Sequence, residues 1–211
     1  MICGVDEAGR GPVIGPLVVA GVLACEDEID ALSKLGVKDS KMLSPARREA
    51  LYKEITKRFK SHVVYLRARD LDSLMAAKSL NEIEAECYAT VIETLRPKTS
   101  FVDAADVSCR NFELMILKYL ETRPKLVVEH KADERYPVVS AASIVAKVER
   151  DREIQRLHKI HGDFGSGYSS DARTQEYLKQ FFQENGSFPS CVRRRWKTAI
   201  RIAQPKIDEY L

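Results

Sequence analysis

The chain has 211 residues, of which 45% are hydrophobic and 31% charged, and its formal net charge is +3 at pH 7. This length suits one compact domain with a small appendage, and this composition excludes a disordered chain and a membrane-embedded one. The first apolar stretch, residues 12–25, is broken by Gly15, Pro16 and Gly21 and lacks the basic head of a signal peptide. We therefore expect a cytoplasmic protein without a membrane partner. Five scattered cysteines without a C-x-x-C pair predict neither a disulfide framework nor a zinc site.

Strand and helix patterns follow one another along the chain. Short apolar or alternating runs predict strands at residues 2–5, 17–23, 62–68, 101–102 and 126–129. Apolar residues at helical spacing predict helices at 44–59, 81–95, 108–120, 138–161, 172–184 and 190–203. Ser44 and Pro45 supply the N-cap and the first-turn proline of the first helix. Three early strands, then strands alternating with helices, predict an α/β fold: a mixed five-stranded sheet flanked by helices on both faces.

Carboxylates stand at the predicted ends of two strands. Asp6 and Glu7 follow the first strand, where a glycine-rich turn would let the backbone bend and bring both side chains to one ion. The alternative for this pair is a solvated turn. Asp103 ends another apolar strand, and Asp133 precedes the long helix, where an N-cap or a dipole partner is the alternative role. Such hard oxygen ligands select Mg²⁺ or Mn²⁺ and suit two-metal hydrolysis of a phosphodiester.

The segment Gly9-Arg10-Gly11 comes directly after these acids and has two interpretations. It superficially resembles a dinucleotide-binding loop, but that fingerprint needs a helix next, and Pro12 and a strand-like run follow instead. Glycines also let a backbone approach a sugar-phosphate closely. We therefore expect the amides of this segment to bond a ribose hydroxyl and Arg10 to bond a phosphate.

Basic residues are concentrated in two stretches. Residues 185–207 contain six Lys or Arg and no acid, with Trp196 among them, and residues 38–60 contain eight bases against three acids. This asymmetry favours a polyanionic partner such as nucleic acid, and a solvated helix face is the alternative for both stretches.

Taken together, these motifs resemble the family of ribonuclease HII, the type 2 ribonuclease H, and its archaeal branch in particular. The resemblance runs in order along nearly the whole chain, through residues 4–12, 38–41, 102–106, 130–133, 140–147 and 165–168. It implies a ribonuclease H-like catalytic domain over residues 1–165 and a small helical C-terminal segment, with a basic face, over residues 166–211. It also implies an endonuclease that cuts RNA in RNA–DNA hybrids, including single ribonucleotides embedded in DNA, and leaves a 3′-hydroxyl and a 5′-phosphate.

The resemblance also implies roles for individual residues. Matched by position, the metal-binding catalytic acids are Asp6, Glu7, Asp103 and Asp133. The residues expected to bind the substrate are Gly9, Arg10, Gly11, Tyr168, Lys41, Ser143 and Lys147. Gly9, Arg10 and Gly11 would read the 2′-hydroxyl at the RNA to DNA junction, Tyr168 would stack on the adjoining deoxyribose, and the others would hold phosphates. Without the resemblance, Tyr168 would be an aromatic side chain that plugs the sheet edge.

The sequence departs from the family pattern near Tyr168 and near Trp196. Ser169 and Ala172 stand where prolines are expected, and Arg195 stands where a serine is common. These differences put the rigidity of the Tyr168 loop and the C-terminal contacts in doubt, and leave the metal site unaffected.

The C-terminus fits a peptide that inserts into the sliding clamp of replication. Gln204, Ile207, Tyr210 and Leu211 form the pattern Q-x-x-I-x-x-Y-L, with Leu211 in place of the usual second aromatic. This spacing puts the apolar side chains on one side of a helical turn, as groove binding requires. The alternative is an amphipathic tail that folds onto its own domain.

Two other functions remain open from the sequence. One is a different nuclease or a strand-transfer enzyme on the same fold, because carboxylates and two metals also serve that chemistry; the glycine segment with Tyr168 favours ribose recognition instead. The other is a non-catalytic nucleic-acid-binding protein, suggested by the basic C-terminal stretch. Clustered acids argue against it, since they repel a phosphate backbone when no metal is bound.

Overall fold

A computed structural model describes residues 1–37 and 43–204 and contains a five-stranded sheet. Lys41 and the tail residues Ile207, Tyr210 and Leu211 lie outside the described residues. The strands are β1 (Ile2–Ala8), β2 (Leu17–Ala24), β3 (Lys60–Leu66), β4 (Thr99–Asp103) and β5 (Lys125–Glu129). They form one five-stranded sheet in the order β3-β2-β1-β4-β5. β1 is antiparallel to β2 and parallel to β4, which is parallel to β5, so the predicted mixed five-stranded sheet is confirmed.

Helices make up most of the remaining described chain. They are α1 (Ile29–Lys34), α2 (Pro45–Arg58), α3 (Ala68–Leu74), α4 (Leu80–Leu95), α5 (Cys109–Tyr119), α6 (Ala132–Arg135), α7 (Pro137–His161), α8 (Ala172–Asn185) and α9 (Lys197–Ala203). The Ser44 side chain accepts a hydrogen bond from the Arg47 amide at 3.2 Å, which confirms the predicted cap of α2. Ser108 caps α5 in the same way through the Asn111 amide.

The structure corrects several predicted boundaries. β1 is longer than the predicted 2–5, and β3 ends at Leu66 because Ala68 already belongs to α3. The helix predicted over 190–203 is wrong for its first half, since α9 begins only at Lys197. Val192 there forms an isolated antiparallel bridge with Ile14, a long-range pairing that overrides local helical spacing. The short helices α1, α3 and α6 were not predicted.

The described chain groups into two compact units that are discontinuous in sequence. The first comprises residues 1–8, 18–65 and 78–149, and the second comprises residues 9–17, 66–77 and 150 onward. The predicted domain boundary at residue 165 lies inside the second unit.

One hydrophobic core of the first unit includes residues of β2 and of the first half of α7. Val18, Ala20 and Val22 of β2 are fully buried, as are the α7 residues Val139 and Ala142. A Cβ atom at Gly4 would lie 2.3 Å from the main-chain carbonyl carbon of Val138, so this glycine lets α7 pack directly on β1. The acids at the end of β1 are therefore held against α7.

The second unit has its own smaller core. It is built from buried residues of the 9–17 segment, the loop before α8, α8 itself and the chain leading to α9: Val13, Ile14, Phe164, Leu178, Phe188 and Val192.

All five cysteines are free thiols. Among the described helices, none combines the length and the apolar content that a membrane crossing requires.

Candidate active site

Two aspartates lie at the same level of the sheet in the first unit. Val5 of β1 pairs with Val102 of β4 in the parallel ladder, so the next residues, Asp6 and Asp103, leave the ladder together. Asp6 is 6% exposed, and the charge of Asp103 contributes to its raised pKa. The expected convergence of two strand-end acids is present, because parallel neighbours deliver corresponding side chains to one rim.

Glu7 lies in the extended part of β1 and not in a bend after it. The bend after the first strand was expected to bring Asp6 and Glu7 to one side, but β1 stays extended through Ala8, which pairs with Val18 of β2. The expected bend is absent, because the ladder with β2 keeps the backbone straight and successive strand residues face opposite sides. Binding of one ion by both carboxylates stays a prediction. The Glu7 charge nevertheless contributes to the raised pKa of Asp6, so the two carboxylates interact.

The end of β4 is tied to α6, which carries the fourth acid. A carboxylate oxygen of Asp103 accepts a hydrogen bond from the Ala132 amide at 3.0 Å. Asp133 follows Ala132 in α6 and is 5% exposed. Because α7 begins only at Pro137, Asp133 is not the N-cap of the long helix.

A further acid on the neighbouring strand is engaged elsewhere. Glu129 of β5 pairs with Asp103 in the parallel ladder, yet its carboxylate forms an ion pair with Arg135 at 2.7 Å. The group of interacting acids at this rim therefore centres on Asp6, Asp103 and Glu7.

The pKa of Asp6 is shifted by the neighbouring acids. Burial raises the pKa of Asp6 well above its ordinary value, and the charges of Asp103 and Glu7 raise it further. Hydrogen bonds from the Ser143 side chain and from the Glu7 amide act in the opposite direction and lower the pKa. The Glu7 amide bond measures 2.7 Å to the carboxylate. Ionised carboxylates crowded in this way repel each other, and a divalent cation would relieve that repulsion.

The residues fit a hard divalent metal by the chemistry of their donors. Asp6, Glu7, Asp103 and Asp133 offer only carboxylate oxygens, the donors that Mg²⁺ and Mn²⁺ prefer. As the side chains stand, no group of three or more His, Cys, Asp or Glu side chains within residues 1–37 and 43–204 is arranged to hold a metal ion. The fit therefore rests on the donor set and on the crowding of carboxylates that raises the pKa of Asp6.

Two serines of α7 form hydrogen bonds to residues of the acid group. The fully buried Ser143 donates to the Asp6 carboxylate, and the Lys147 ammonium donates to the Ser143 hydroxyl at 2.8 Å. Ser140 donates to the main-chain carbonyl of Asp133. Ser143 thus bonds an acid of the site and Lys147 bonds Ser143, whereas a phosphate contact by either residue stays a prediction.

In the second unit, the glycine segment adopts a conformation that requires glycine at one position. Gly9 has φ +88°, and a Cβ atom there would lie 2.5 Å from the Pro16 carbonyl oxygen and 2.8 Å from Cδ of Arg150. At Gly11 the atom nearest to an added Cβ would be Cε1 of Tyr168, at 3.7 Å, which is an ordinary contact. Gly9 is therefore needed by the fold, whereas Gly11 leaves open space beside the Tyr168 ring.

Tyr168 lies on a loop that is hydrogen-bonded to the chain just after the glycine segment. The amides of Val13 and Ile14 both donate to the Gly167 carbonyl, at 2.8 and 3.1 Å. The Arg150 guanidinium lies 5.3 Å from the centre of the Tyr168 ring. Since Tyr168 is 40% exposed, its ring offers a stacking surface and does not plug a sheet edge.

The Tyr168 loop is stabilised without the prolines expected at positions 169 and 172. The Asp171 carboxylate accepts from the Ser166 amide at 2.7 Å and caps α8 through the Arg173 amide at 3.0 Å. The fully buried Thr174 hydroxyl accepts from the Gly167 amide and donates to the Phe164 carbonyl. Hydrogen bonds thus supply the rigidity that the departures from the pattern put in doubt.

The basic C-terminal stretch is not uniformly on the surface. Arg194 and Arg195 are exposed, and both of their amides donate to the Asp72 carboxylate. Arg193 is completely buried and donates to the main-chain carbonyls of Gly9 and Arg10 in the glycine segment, and to that of Gly15 beyond it. The prediction treated Arg193 as part of a basic face, and this is wrong. Neither Arg193 nor Arg150 was predicted as a site residue, and no local signal separates Arg193 from the two arginines beside it.

The chain is similar to known proteins of one family. The family model described as Ribonuclease HII matches residues 3–199. A ribonuclease HII from Archaeoglobus fulgidus is 53% identical over 210 residues, covering 100% of both chains. Among solved structures, the ribonuclease H2 from Pyrococcus horikoshii matches with a TM-score of 0.90 and 44% identity, over 96% of this chain and 97% of that one. A structure of the PCNA:RNase HII complex from Archaeoglobus fulgidus matches with a TM-score of 0.85 and 53% identity, over 99% of this chain and 100% of that one.

Proposed function

We propose that this chain incises duplex DNA on the 5′ side of a single embedded ribonucleotide. The chain belongs to the ribonuclease HII family and is therefore a hydrolase acting on RNA–DNA hybrids. The products would be a 3′-hydroxyl and a 5′-phosphate. The observation that carries this proposal is the pairing of Gly11 with the exposed Tyr168 ring in the second unit. Gly11 leaves room for one ribose, and the Tyr168 ring beside it can stack on the adjoining deoxyribose. Recognition of this kind needs only one ribonucleotide and not a run of several.

The cutting chemistry is assigned to the acids of the first unit. Asp6, Glu7, Asp103 and Asp133 would hold the divalent metal ions that enzymes of this family use, Mg²⁺ or Mn²⁺. Two such ions would supply activation of a water and stabilisation of the leaving oxygen. The crowded carboxylates and the raised pKa of Asp6 support this assignment. Ser143 favours the ionised form of Asp6 by donating a hydrogen bond to it, and Lys147 orients Ser143.

The recognition chemistry is assigned to the glycine segment and its neighbours in the second unit. Main-chain amides of Gly9, Arg10 and Gly11 would bond the 2′-hydroxyl, which is the group that distinguishes RNA from DNA. The Arg10 guanidinium would bond a phosphate. Tyr168 would stack on the adjoining deoxyribose, a role that its exposure and its contact with Arg150 support. Lys41 lies outside the described residues and remains a predicted phosphate contact.

The experiment that tests the proposed function uses a DNA duplex with one ribonucleotide. The protein is incubated with this duplex in Mg²⁺ or in Mn²⁺, and the ends of the products are mapped. A cut on the 5′ side of the ribonucleotide, with a 3′-hydroxyl and a 5′-phosphate, is the expected result. Cleavage only within runs of several ribonucleotides would refute the single-ribonucleotide specificity, and binding without any cleavage would identify a non-catalytic nucleic-acid binder.

A sliding clamp is the proposed protein partner. Gln204 follows α9, and Ile207, Tyr210 and Leu211 would place apolar side chains in a clamp groove. The similar ribonuclease HII from Archaeoglobus fulgidus has been solved in a PCNA complex, which supports this proposal.

Removing the tail separates clamp binding from cleavage. Deletion of residues 204–211 is expected to abolish binding to an archaeal clamp in a pull-down or titration, because all four anchor residues are lost. Cleavage rates on short duplexes are expected to stay within about twofold of the full chain, since the deletion removes none of the proposed catalytic or ribose-binding residues. Unchanged clamp affinity of the shortened chain would refute the partner.

A further inference from the structure

Arg193 is a charged side chain without exposed surface in the second unit. Its guanidinium donates to three main-chain carbonyls: Nη2 to Gly9 at 2.6 Å, Nη1 to Arg10 at 2.9 Å and Nε to Gly15 at 3.0 Å. Burying a charge is strongly unfavourable unless hydrogen bonds compensate for the lost water. The three bonds offset that cost, and two of them, to Gly9 and Arg10, fix peptide groups of the glycine segment.

Trp196, three residues later, completes this support. Its Nε1 donates to the Gly11 carbonyl at 3.2 Å, and its ring lies 4.7 Å from the Arg193 guanidinium. The Arg193 amide itself donates to the Val13 carbonyl at 2.8 Å. One turn of chain before α9 therefore engages the carbonyls of Gly9, Arg10 and Gly11 in succession.

The direction of these carbonyls determines the direction of the amides. Peptide bonds in the described residues are trans, and in a trans peptide the C=O and N–H groups point to opposite sides. The Gly9 carbonyl shares a peptide with the Arg10 amide, and the Arg10 carbonyl shares one with the Gly11 amide. Because Arg193 binds both carbonyls, the two amides are turned away from it.

The guanidinium also affects how strongly these amides donate. A positive group bonded to a carbonyl polarises the whole peptide, which makes its N–H a better donor in a chain of hydrogen bonds. Lysine has the same charge but a single ammonium on a flexible stem, and it cannot reproduce a rigid fork that meets several carbonyls at once. Position 193 therefore requires an arginine, because a positive charge alone would not bond several carbonyls at once.

We propose that Arg193 is a positioning residue for ribose recognition: it holds the Gly9–Gly11 carbonyls so that the Arg10 and Gly11 amides face the 2′-hydroxyl. This inference rests on the proposed function of the glycine segment. It adds that the selectivity for ribose over deoxyribose depends on a buried side chain that touches no substrate.

The test measures ribose preference in binding, so that loss of catalysis does not obscure the result. Arg193→Lys is introduced into an Asp103→Asn background, and Kd is measured for a DNA duplex with one ribonucleotide and for the same duplex without it. The ratio of the two Kd values is the readout, because partial unfolding lowers the active fraction equally for both duplexes. The expected result is a roughly 10-fold smaller ratio, which corresponds to the loss of one or two charge-assisted hydrogen bonds.

A matched control uses another arginine that donates to main-chain carbonyls. Arg123 donates to the carbonyls of Leu117 and Leu120 at 3.0 and 3.3 Å, in the first unit. Arg123→Lys is expected to leave the Kd ratio unchanged. An equal ratio in the Arg193→Lys protein and in its parent would overturn the inference.

A second variant keeps the inference testable if Arg193→Lys does not fold. Trp196→Phe keeps a smaller aromatic ring beside the guanidinium and removes the Nε1 donor to Gly11. It is expected to lower the Kd ratio about threefold, as the loss of one neutral hydrogen bond would, and an unchanged ratio would again count against the inference. If the Asp103→Asn parent shows no ribose preference, the proposed function itself fails; if the parent prefers ribose and neither variant alters the ratio, only the role of Arg193 fails.

Discussion

The acids and the glycine segment are held in place by different kinds of structure. Asp6 and Asp103 lie on parallel neighbouring strands, and the regular ladder between β1 and β4 sets their positions. The Gly9–Gly11 segment lies in an irregular turn of the second unit, and the side chains of Arg193 and Trp196 determine its orientation. Substitutions among the acids should therefore alter chemistry while the fold persists, whereas substitutions around the glycine segment should alter recognition, stability or both.

The largest expected effect comes from removing one acid. Asp103→Asn is expected to lower the single-turnover cleavage rate by at least about 1000-fold, because a ligand for the metal ions and their charge balance are lost together. Circular dichroism should show an intact fold, since the asparagine side-chain oxygen can still accept from the Ala132 amide.

Asp106 offers a matched control for that substitution. Its carboxylate accepts from the Ser108 amide at 2.7 Å and from Asn81, so it closes a turn only three residues from Asp103. Asp106→Asn is expected to keep the cleavage rate within a fewfold of the original. Equal losses from both substitutions would mean that the strand-end acids have no special role.

Two glycine substitutions separate a residue required by the fold from one that serves the substrate. Gly9→Ala places a Cβ atom against the Pro16 carbonyl at a φ of +88°, so it is expected to lower the free energy of unfolding by about 2–4 kcal/mol. Gly11→Ala meets only an ordinary contact with Tyr168 and should leave the melting temperature unchanged. Its methyl group should still weaken binding of a ribonucleotide-containing duplex roughly 10-fold by occupying the space beside the ring.

Melting curves and titrations of the two proteins are the measurements for this pair. If Gly11→Ala bound the duplex as tightly as the original, the space beside Tyr168 would not be where the sugar lies. A fully stable Gly9→Ala protein would show that the turn tolerates a side chain.

A smaller effect concerns stability without metal. Burial and the neighbouring charges raise the pKa of Asp6 in the fold, so its ionised form destabilises the metal-free protein. Stability should fall as the pH rises from the ordinary value of 3.8 through the raised value. Asp6→Asn is expected to remove that fall and to raise the free energy of unfolding in EDTA at neutral pH by on the order of 1 kcal/mol.

The measurement compares melting temperatures of the two proteins with EDTA and with Mg²⁺. Mg²⁺ should stabilise the original protein more than the Asp6→Asn protein, because a ligand has been lost. Equal stabilisation of both proteins would argue that Asp6 does not hold the metal.

Local signals in the sequence explain which elements were predicted well. The start of α2 follows from a serine cap and a proline at the first helical position, both of which act over a single turn. The convergence of Asp6 and Asp103 was also expected, because strand ends in a parallel pair meet at one rim. The straight path of β1 through Glu7 was not expected, since it depends on pairing with β2, which lies across a turn.

Long-range contacts explain what the sequence did not reveal. Arg193 bonds a carbonyl 178 positions away in the chain, and it stands in a run of three arginines with nothing local to distinguish it. The non-helical path at residues 190–196 has the same cause, since the Ile14–Val192 bridge joins distant segments. The family resemblance identified the motifs, but the residues that orient the glycine segment became apparent only from the structure.

One comparison of two variants on two substrates tests the division of labour most directly. Single-turnover cleavage is measured for Asp103→Asn and Arg10→Ala, on a duplex with one ribonucleotide and on a duplex with a run of four. The expected result is that Asp103→Asn loses both cleavages by the same factor, while Arg10→Ala loses the single-ribonucleotide cleavage by a clearly larger factor. Equal losses on both substrates for Arg10→Ala would contradict the claim that the acids cut and the glycine segment reads the sugar.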